Sequence, residues 1–234
     1  MYKRIILKLS GETLSPVSGK GTFDPERVDK VADMILRLSK TGVQVGVVMG
    51  GGNIWRGRFT NEMNGANADQ MGMLATVINA LCVSDAIVRM GGKAQVFTAQ
   101  EMNRFARLYT RDAVLAAMND GCVALLAGGT GNPYFTTDTC AALRAAELDA
   151  DAVFKGTTVD GVYDKDPRTN PDAKLLTEVT YQEAVEKRLK VMDTSAFLLC
   201  QEQKIPEIRV FNMDDLENII KAAMGEDIGT RVHA

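Results

Sequence analysis

Residues 3–11 read KRIILKLSG and residues 43–53 read VQVGVVMGGGN. Each is a short run, apolar at most positions, that stops at small residues, and the first carries Lys8 just before it stops. Such runs read as strands buried on both faces. That requirement decides the fold class, because helices must then cover the sheet on both sides. The chain between them supplies one. Asp24-Pro25 is a favoured N-cap followed by a favoured first helical residue. Val28, Val31, Ile35 and Leu38 then recur at helical spacing, which predicts an amphipathic helix over 24–41.

The same alternation continues outward. Strands are predicted at 94–98, 122–127, 151–155 and 207–211, with a short one at the C-terminus. Helices are predicted at 67–90, 111–120, 138–148, near 180–188, at 194–203 and at 214–224. The expectation is an α/β protein with a mainly parallel open sheet sandwiched between helices. It is a single domain over 1–234. The Asp-, Pro-, Gly- and Asn-rich stretch 156–172 marks the boundary between approximate lobes 1–150 and 151–234.

Composition narrows the function. Of 234 residues, 46% are hydrophobic and 24% charged, enough for a substantial core. The net charge of −3 lacks the basic footprint of a nucleic-acid binder, so phosphate must be bound by local groups. Cys82, Cys122, Cys140 and Cys200 form no C-x-x-C pair and read as buried free thiols of a reducing compartment. The single histidine, His233, sits next to the end and argues against a Ser-His-Asp triad or a histidine-rich metal site. Lys8 breaks the first apolar run, so no signal-peptide core is formed, and apolar runs fall short of the roughly 18 residues of a membrane helix. A soluble, cytoplasmic protein that binds no membrane is expected.

Ligands of open α/β sheets sit outside the carboxyl ends of the strands. Four strand tips here share one chemistry: Lys8-Leu9-Ser10-Gly11, Gly50-Gly51-Gly52-Asn53, Gly128-Gly129-Thr130-Gly131-Asn132-Pro133, and Lys155-Gly156-Thr157. Glycine turns bring free N–H groups close to an anion. A lysine ending a buried strand calls for an anionic partner, unless it merely reaches solvent. Two such ammonium groups suit a phosphoryl group in transfer, where catalysis is positioning plus charge stabilisation. The P-loop, the dinucleotide G-x-G-x-x-G and the protein-kinase signatures are all absent. Arg56 can grip a phosphate bidentately, or be a solvated surface arginine. Asp69 can accept from ribose hydroxyls, or serve as a carboxylate at a helix start. Within Thr136-Thr137-Asp138 one residue can cap a helix while the others face the ligand.

These residues resemble the bacterial uridylate kinase family of the amino acid kinase superfamily, nearly end to end. The likeness runs through Lys8–Glu12, Val47–Asn53 with Arg56-Gly57, Asp69–Thr76, Gly131–Asp138, Val159–Tyr163, Lys190–Asp193 and Arg209–Asn212. The resemblance implies ATP-dependent conversion of UMP to UDP by in-line transfer. It implies that Lys8, Leu9, Ser10, Gly11, Gly52, Arg56, Thr157, Tyr163 and Asp166 bind ATP. Gly51, Asp69 and the run Thr130, Gly131, Asn132, Pro133, Tyr134, Phe135, Thr136 and Thr137 would hold UMP. Lys8 and Lys155 would share the transition-state charge, with Asp138 and Asp193 as the carboxylates that orient lysines or metal. Magnesium would arrive on ATP, with no dedicated protein metal site. Gln70 stands where many relatives carry histidine. Segment 15–23 departs from the family pattern where relatives place an activating GTP, and 99–113 is atypical too.

The helix at 67–90 is apolar on almost every side from Met71 to Val83, so a subunit as well as the sheet is expected to cover it. A two-fold dimer follows, and the resemblance extends it to a hexamer built as a trimer of dimers. Two rival readings are a kinase of the same superfamily acting on an amino acid or carbamate, and a nucleotide-binding storage or regulatory protein without turnover.

Overall fold

The structure is a computed structural model and describes residues 2–56, 63–189 and 191–234. Gly57 and Lys190, two positions of the sequence resemblance, lie outside the described residues.

The first half of the chain forms β1 (Arg4–Leu9), α1 (Pro25–Lys40), β2 (Gln44–Met49), α2 (Gly65–Arg89), β3 (Ala94–Thr98), β4 (Arg107–Leu108), α3 (Arg111–Asn119) and β5 (Val123–Ala127). The second half forms α4 (Thr137–Glu147), β6 (Ala152–Thr157), β7 (Val162–Tyr163), β8 (Leu175–Leu176), β9 (Glu178–Thr180), α5 (Tyr181–Glu186), α6 (Thr194–Glu202), β10 (Glu207–Asn212), α7 (Glu217–Ala223) and β11 (Thr230–His233). Nine strands make one sheet in the order β4-β3-β5-β2-β1-β6-β10-β11-β9, while β7 and β8 pair separately. In the large sheet the β10–β11 pairing is antiparallel and the others are parallel.

Every long predicted element is present, with ends moved by a few residues. Asp24 caps α1 by accepting from the N–H groups of Glu26 and Arg27. Helix α7 starts at Glu217 rather than 214, because Asp214 and Asp215 are taken up in turn hydrogen bonds. The stretch 156–172 is not all loop, since β6 runs on through Thr157 and β7 lies within it. The two-residue strands β4, β7 and β8 are too short to leave a periodic signal in sequence.

Two cores cover the sheet. Ile5, Leu7 and Leu9 face one core with α1, α2 and α7, whereas Ile6 faces the other with α3, α4, α5 and α6. Phe154 and Val153 divide in the same way. The period of two along a strand therefore puts Lys8 and Lys155 on the α4 side. Cys140 and Cys200 are buried, but Cys82 and Cys122 are only half-buried, so the expected burial holds for two thiols of the four.

Helix α2 corrects one expectation in detail. Ala75, Val77, Ala80, Val83 and Ile87 pack into the core, and Asn79 is buried among them. Met71, Leu74, Ile78, Leu81 and Val88 form an opposite apolar stripe left exposed in the single chain, with Ile78 at 48% and Leu74 at 50%. Val77, at 5% exposure, belongs to this chain's own core and not to that outer face. By length and composition α2 is apolar enough to cross a membrane, but nearly half of it is buried against the sheet and α1.

Candidate active site

Strands β5, β2, β1 and β6 are consecutive in the sheet, so the four tips singled out above are immediate neighbours. The chain leaves β1 in one direction for β2 and returns on its other side as β6. This is the topological switch point where open sheets bind ligands.

In the β1–β6 register Lys8 lies directly opposite Lys155. Both point to the N-terminus of α4, where Asp138 is 92% buried, being only 8% exposed. Lys8 Nζ lies 2.9 Å from one Asp138 oxygen, and Lys155 Nζ donates to the other. Burial alone would push the Asp138 carboxyl up, but the Lys8 and Lys155 charges outweigh it and hold it below the usual carboxylate range. Burial pulls the Lys155 ammonium down from the ordinary lysine value, and Asp138 restores only part of that. Asp138 thus holds two cations side by side in a partly dehydrated site.

Helix α4 is capped by Thr136, whose hydroxyl oxygen accepts from the N–H groups of Asp138 (3.1 Å) and Thr139 (3.4 Å). The same hydroxyl donates to Asp193, the N-cap residue of α6. Two helix N-termini therefore converge beside the lysines, each adding partial positive charge.

Two large cavities open here. One, of about 690 Å³, is bordered by Gly50–Gly52, Arg56, Asp69, Gly129, Phe135, Thr136 and Thr137. The other, of about 500 Å³, is bordered by Lys155–Thr157, Tyr163 and Asp166. They share Lys8, Ser10 and Glu12. A third cavity, of about 420 Å³, lies against Asp138, Lys155 and Asp193. Two ligands entering the large cavities would meet at the lysines.

Fifteen of the predicted site residues gather at these walls, and seven, Leu9, Gly11 and Thr130–Tyr134, do not. Leu9 is fully buried in the opposite core, so only its backbone can meet a nucleotide. Gly11 borders none of the three cavities; a Cβ there would fall 2.2 Å from Asn53 Oδ1 and 2.5 Å from the Gly50 carbonyl, so the glycine lets two tips pack together. Gly51 is similarly confined, its would-be Cβ 2.8 Å from the Gly72 carbonyl of α2. Arg56 is ion-paired with Glu12, and its Nε donates to the Gly52 carbonyl at 3.1 Å. Asp69 lies in the second turn of α2, which starts at Gly65 with Asn64 as its cap, so Asp69 is not a helix-start carboxylate. It accepts the Tyr134 N–H at 2.7 Å.

Thr130, Gly131, Asn132, Pro133 and Tyr134 form the loop between Gly129 and Phe135, which border the larger cavity, but none of the five borders it itself. Thr130 Oγ1 closes a turn with Asn132, and Gln100 donates to the Gly131 carbonyl at 2.9 Å. Tyr134 adopts a left-handed φ of 70°, unusual without a glycine, and the Asp69 hydrogen bond helps hold it there.

Three residues gain positions that sequence reasoning did not assign. Asn79 Nδ2 donates to the Gly50 carbonyl (2.7 Å) and to Asn53 Oδ1 (2.8 Å), pinning the triple-glycine turn. Thr76 Oγ1 accepts the Gly128 N–H at 2.9 Å and pins the third tip. Arg144, buried on α4, stacks 3.8 Å from the Tyr109 ring and reaches the Gly129 carbonyl at 3.2 Å. A polar side chain inside an apolar helix stretch was the available signal for the first two.

The fold and this site define a phosphotransferase of small molecules, with two large cavities that meet at Lys8. Residues 3–212 match the model of the amino acid kinase family. A uridylate kinase of Bacteroides thetaiotaomicron is 46% identical over 239 residues, covering 99% of this chain and 98% of the relative. The crystal structure of UMP kinase from Bacillus anthracis superposes with a TM-score of 0.95 at 33% identity, covering 99% of this chain and 96% of that one. UMP kinase from Ureaplasma parvum gives 0.93 at 35% identity over the whole of both chains. The chain belongs to the amino acid kinase family.

Proposed function

We propose that this protein transfers the γ-phosphoryl group of ATP to UMP, giving UDP and ADP. The observation that carries the reading is the junction of the two large cavities at Lys8, beside Lys155 and Asp138. ATP occupies the cavity of Thr157, Tyr163 and Asp166, on the side of residues 151–234. UMP occupies that of Gly51, Asp69 and Phe135–Thr137, on the side of 1–150, with the loop Thr130–Tyr134 as the segment that would close over it. A UMP phosphate oxygen is already ionised at neutral pH, so no general base is needed. It attacks the γ-phosphorus in line, the bond to the β-phosphate oxygen breaks, and ADP leaves with that electron pair. Lys8 and Lys155 stabilise the charge spread over the transferring oxygens. Asp138 keeps both ammonium groups charged and aimed. Ser10 and Gly52 line the path of the phosphates, Gly11 lets their two strand tips pack together, and Arg56 reaches the path once released from Glu12.

Magnesium supplies charge neutralisation on the ATP phosphates and travels with them, largely hydrated. Both Asp138 oxygens are engaged by lysines, so that carboxylate is suited to holding ammonium groups. Asp193, one oxygen bonded to Thr136 and bordering the cavity against Asp138 and Lys155, would be the carboxylate to face the hydrated ion. Retention of both lysines and Asp138 favours turnover over storage.

The assembly follows from α2. Met71, Leu74, Ile78 and Leu81 recur at helical spacing on one exposed face, a self-complementary stripe for a two-fold dimer, three of which make the hexamer. The setting is the cytoplasm, where both nucleotides and reduced thiols are found. The test is a coupled ADP-release assay with Mg-ATP and UMP, CMP, dUMP, glutamate or carbamate. UMP is expected to be turned over far better than the rest. Binding of UMP without turnover, or preference for an amino acid, overturns the reading.

A further inference from the structure

Helix α5 ends in a Schellman motif. The Leu189 N–H bonds to the Ala184 carbonyl and the Arg188 N–H to that of Val185, both at 3.1 Å. The residue between, Arg188, has φ of 48°, at the position where glycine is usual. Asp149 and Lys204 hold left-handed φ at the ends of two other helices, so the conformation alone singles out nothing. What sets Arg188 apart is where it stands. It borders both the cavity assigned to ATP and the smaller one against Asp138 and Asp193, and Lys155 borders the same two. That overlap puts it at the phosphate end of the nucleotide rather than at the adenosine end.

Charge points the same way. Around the junction Lys8 and Lys155 are matched by Asp138 and Asp193, so these four formal charges cancel. The nearby cations are also engaged: Lys165 with Asp172, Lys187 with Glu183, and Arg168 with the Thr158 hydroxyl. Arg188 and Arg168 make no ion pair among the described residues, and of the two only Arg188 also borders the cavity against Asp138 and Lys155. A triphosphate brings several negative charges there.

We infer that Arg188 is a further substrate-binding residue, gripping the terminal phosphates of ATP through its guanidinium across the cavity from Lys155. The inference rests on the assignment of that cavity to ATP. A planar guanidinium suits this task, since it binds phosphate oxygens in pairs and stays charged even where Lys155 is pulled down by burial.

The left-handed φ offers a clean variant. Arg188→Gly removes the side chain while giving the backbone a residue that prefers this conformation, so folding is retained. Steady-state kinetics and thermal melting are measured for Arg188→Gly, Arg188→Lys and, as a control on the cavity itself, Tyr163→Ala. For Arg188→Gly the KM for ATP is expected to rise about 10- to 100-fold, the loss of a charge-assisted phosphate contact. The KM for UMP stays put, the melting temperature is kept or raised, and Arg188→Lys recovers part of the affinity. An unchanged KM for ATP in Arg188→Gly, with Tyr163→Ala impaired, refutes the role of Arg188 and leaves the cavity assignment standing. Unchanged values in both variants place ATP elsewhere, and the inference falls with the assignment.

Discussion

Asp138→Asn replaces a buried carboxylate that holds two ammonium groups with a neutral amide of the same shape. Lys8 sits 2.9 Å from Asp138, an attraction of about 6 kcal/mol at an effective dielectric constant near 20. The cost of dehydrating the carboxylate offsets much of it, and removing one partner of a buried ion pair typically costs about 3–5 kcal/mol. The lysine side chains keep 14% and 10% exposure toward the cavities, so water relieves part of the loss. We expect a destabilisation of about 2–4 kcal/mol at pH 7, lowering the melting temperature by about 5–15 °C in a chain of this size. The pH dependence separates charge from packing. The Asp138 pKa is depressed, so its contribution is complete above the usual carboxylate range and lost as pH falls through the lower folded value. Lys155 is depressed as well, so its charge opposes folding below its folded pKa, and that penalty fades as pH rises through it. In the variant Lys155 loses the Asp138 counter-charge that partly restores it, and the fading sets in at lower pH. The stability gap between wild type and Asp138→Asn should therefore be widest near neutrality and narrow toward both acid and alkali. Urea unfolding at a series of pH values measures it, and kcat should fall on the order of 100-fold or more in parallel. A gap under about 1 kcal/mol, or one flat with pH, would refute the account of Asp138 as the holder of two buried cations.

Asp69→Asn should raise the KM for UMP with little change for ATP, because Asp69 borders only the acceptor cavity and fixes Tyr134; a larger effect on ATP would move it to the donor side. Gly51→Ala places a methyl 2.8 Å from the Gly72 carbonyl, and overpacking of this kind should cost about 1–3 kcal/mol and impair UMP binding, read by melting and KM. Ile78→Asp, on the exposed stripe of α2, should dissociate the assembly in sedimentation while the chain stays folded, whereas Val77→Asp should unfold it; a wild type sedimenting as a monomer at micromolar concentration would sink the oligomer.

Much of this was legible beforehand, because the signals were local. Apolar runs such as Ile5–Leu7 and Val45–Met49, the Asp24 cap and the glycines after each strand depend on neighbours in sequence. The strand tips of Lys8, Gly50 and Lys155 could be recognised one at a time. The two-residue strands, the roles of Asn79 and Thr76, and the position of Asp69 inside α2 rather than at its start could not, since each depends on a partner far along the chain.

By itself, the sequence determined that this is a helix-covered sheet with lysines and glycines at its strand tips. Continuous apolar strands have no other stable burial, and those residue types at those places bind anions. The tertiary structure alone decided that Lys8 faces Lys155, since β1 and β6 are nearly 150 residues apart and their register is a non-local pairing. It alone brought Asp138 to both. It also divided α2, apolar on nearly every side, into a core face with Val77 and an outer face with Ile78. A helix of uniform hydrophobicity carries no directional signal of its own, so only packing against the sheet and α1 could choose which face turned inward.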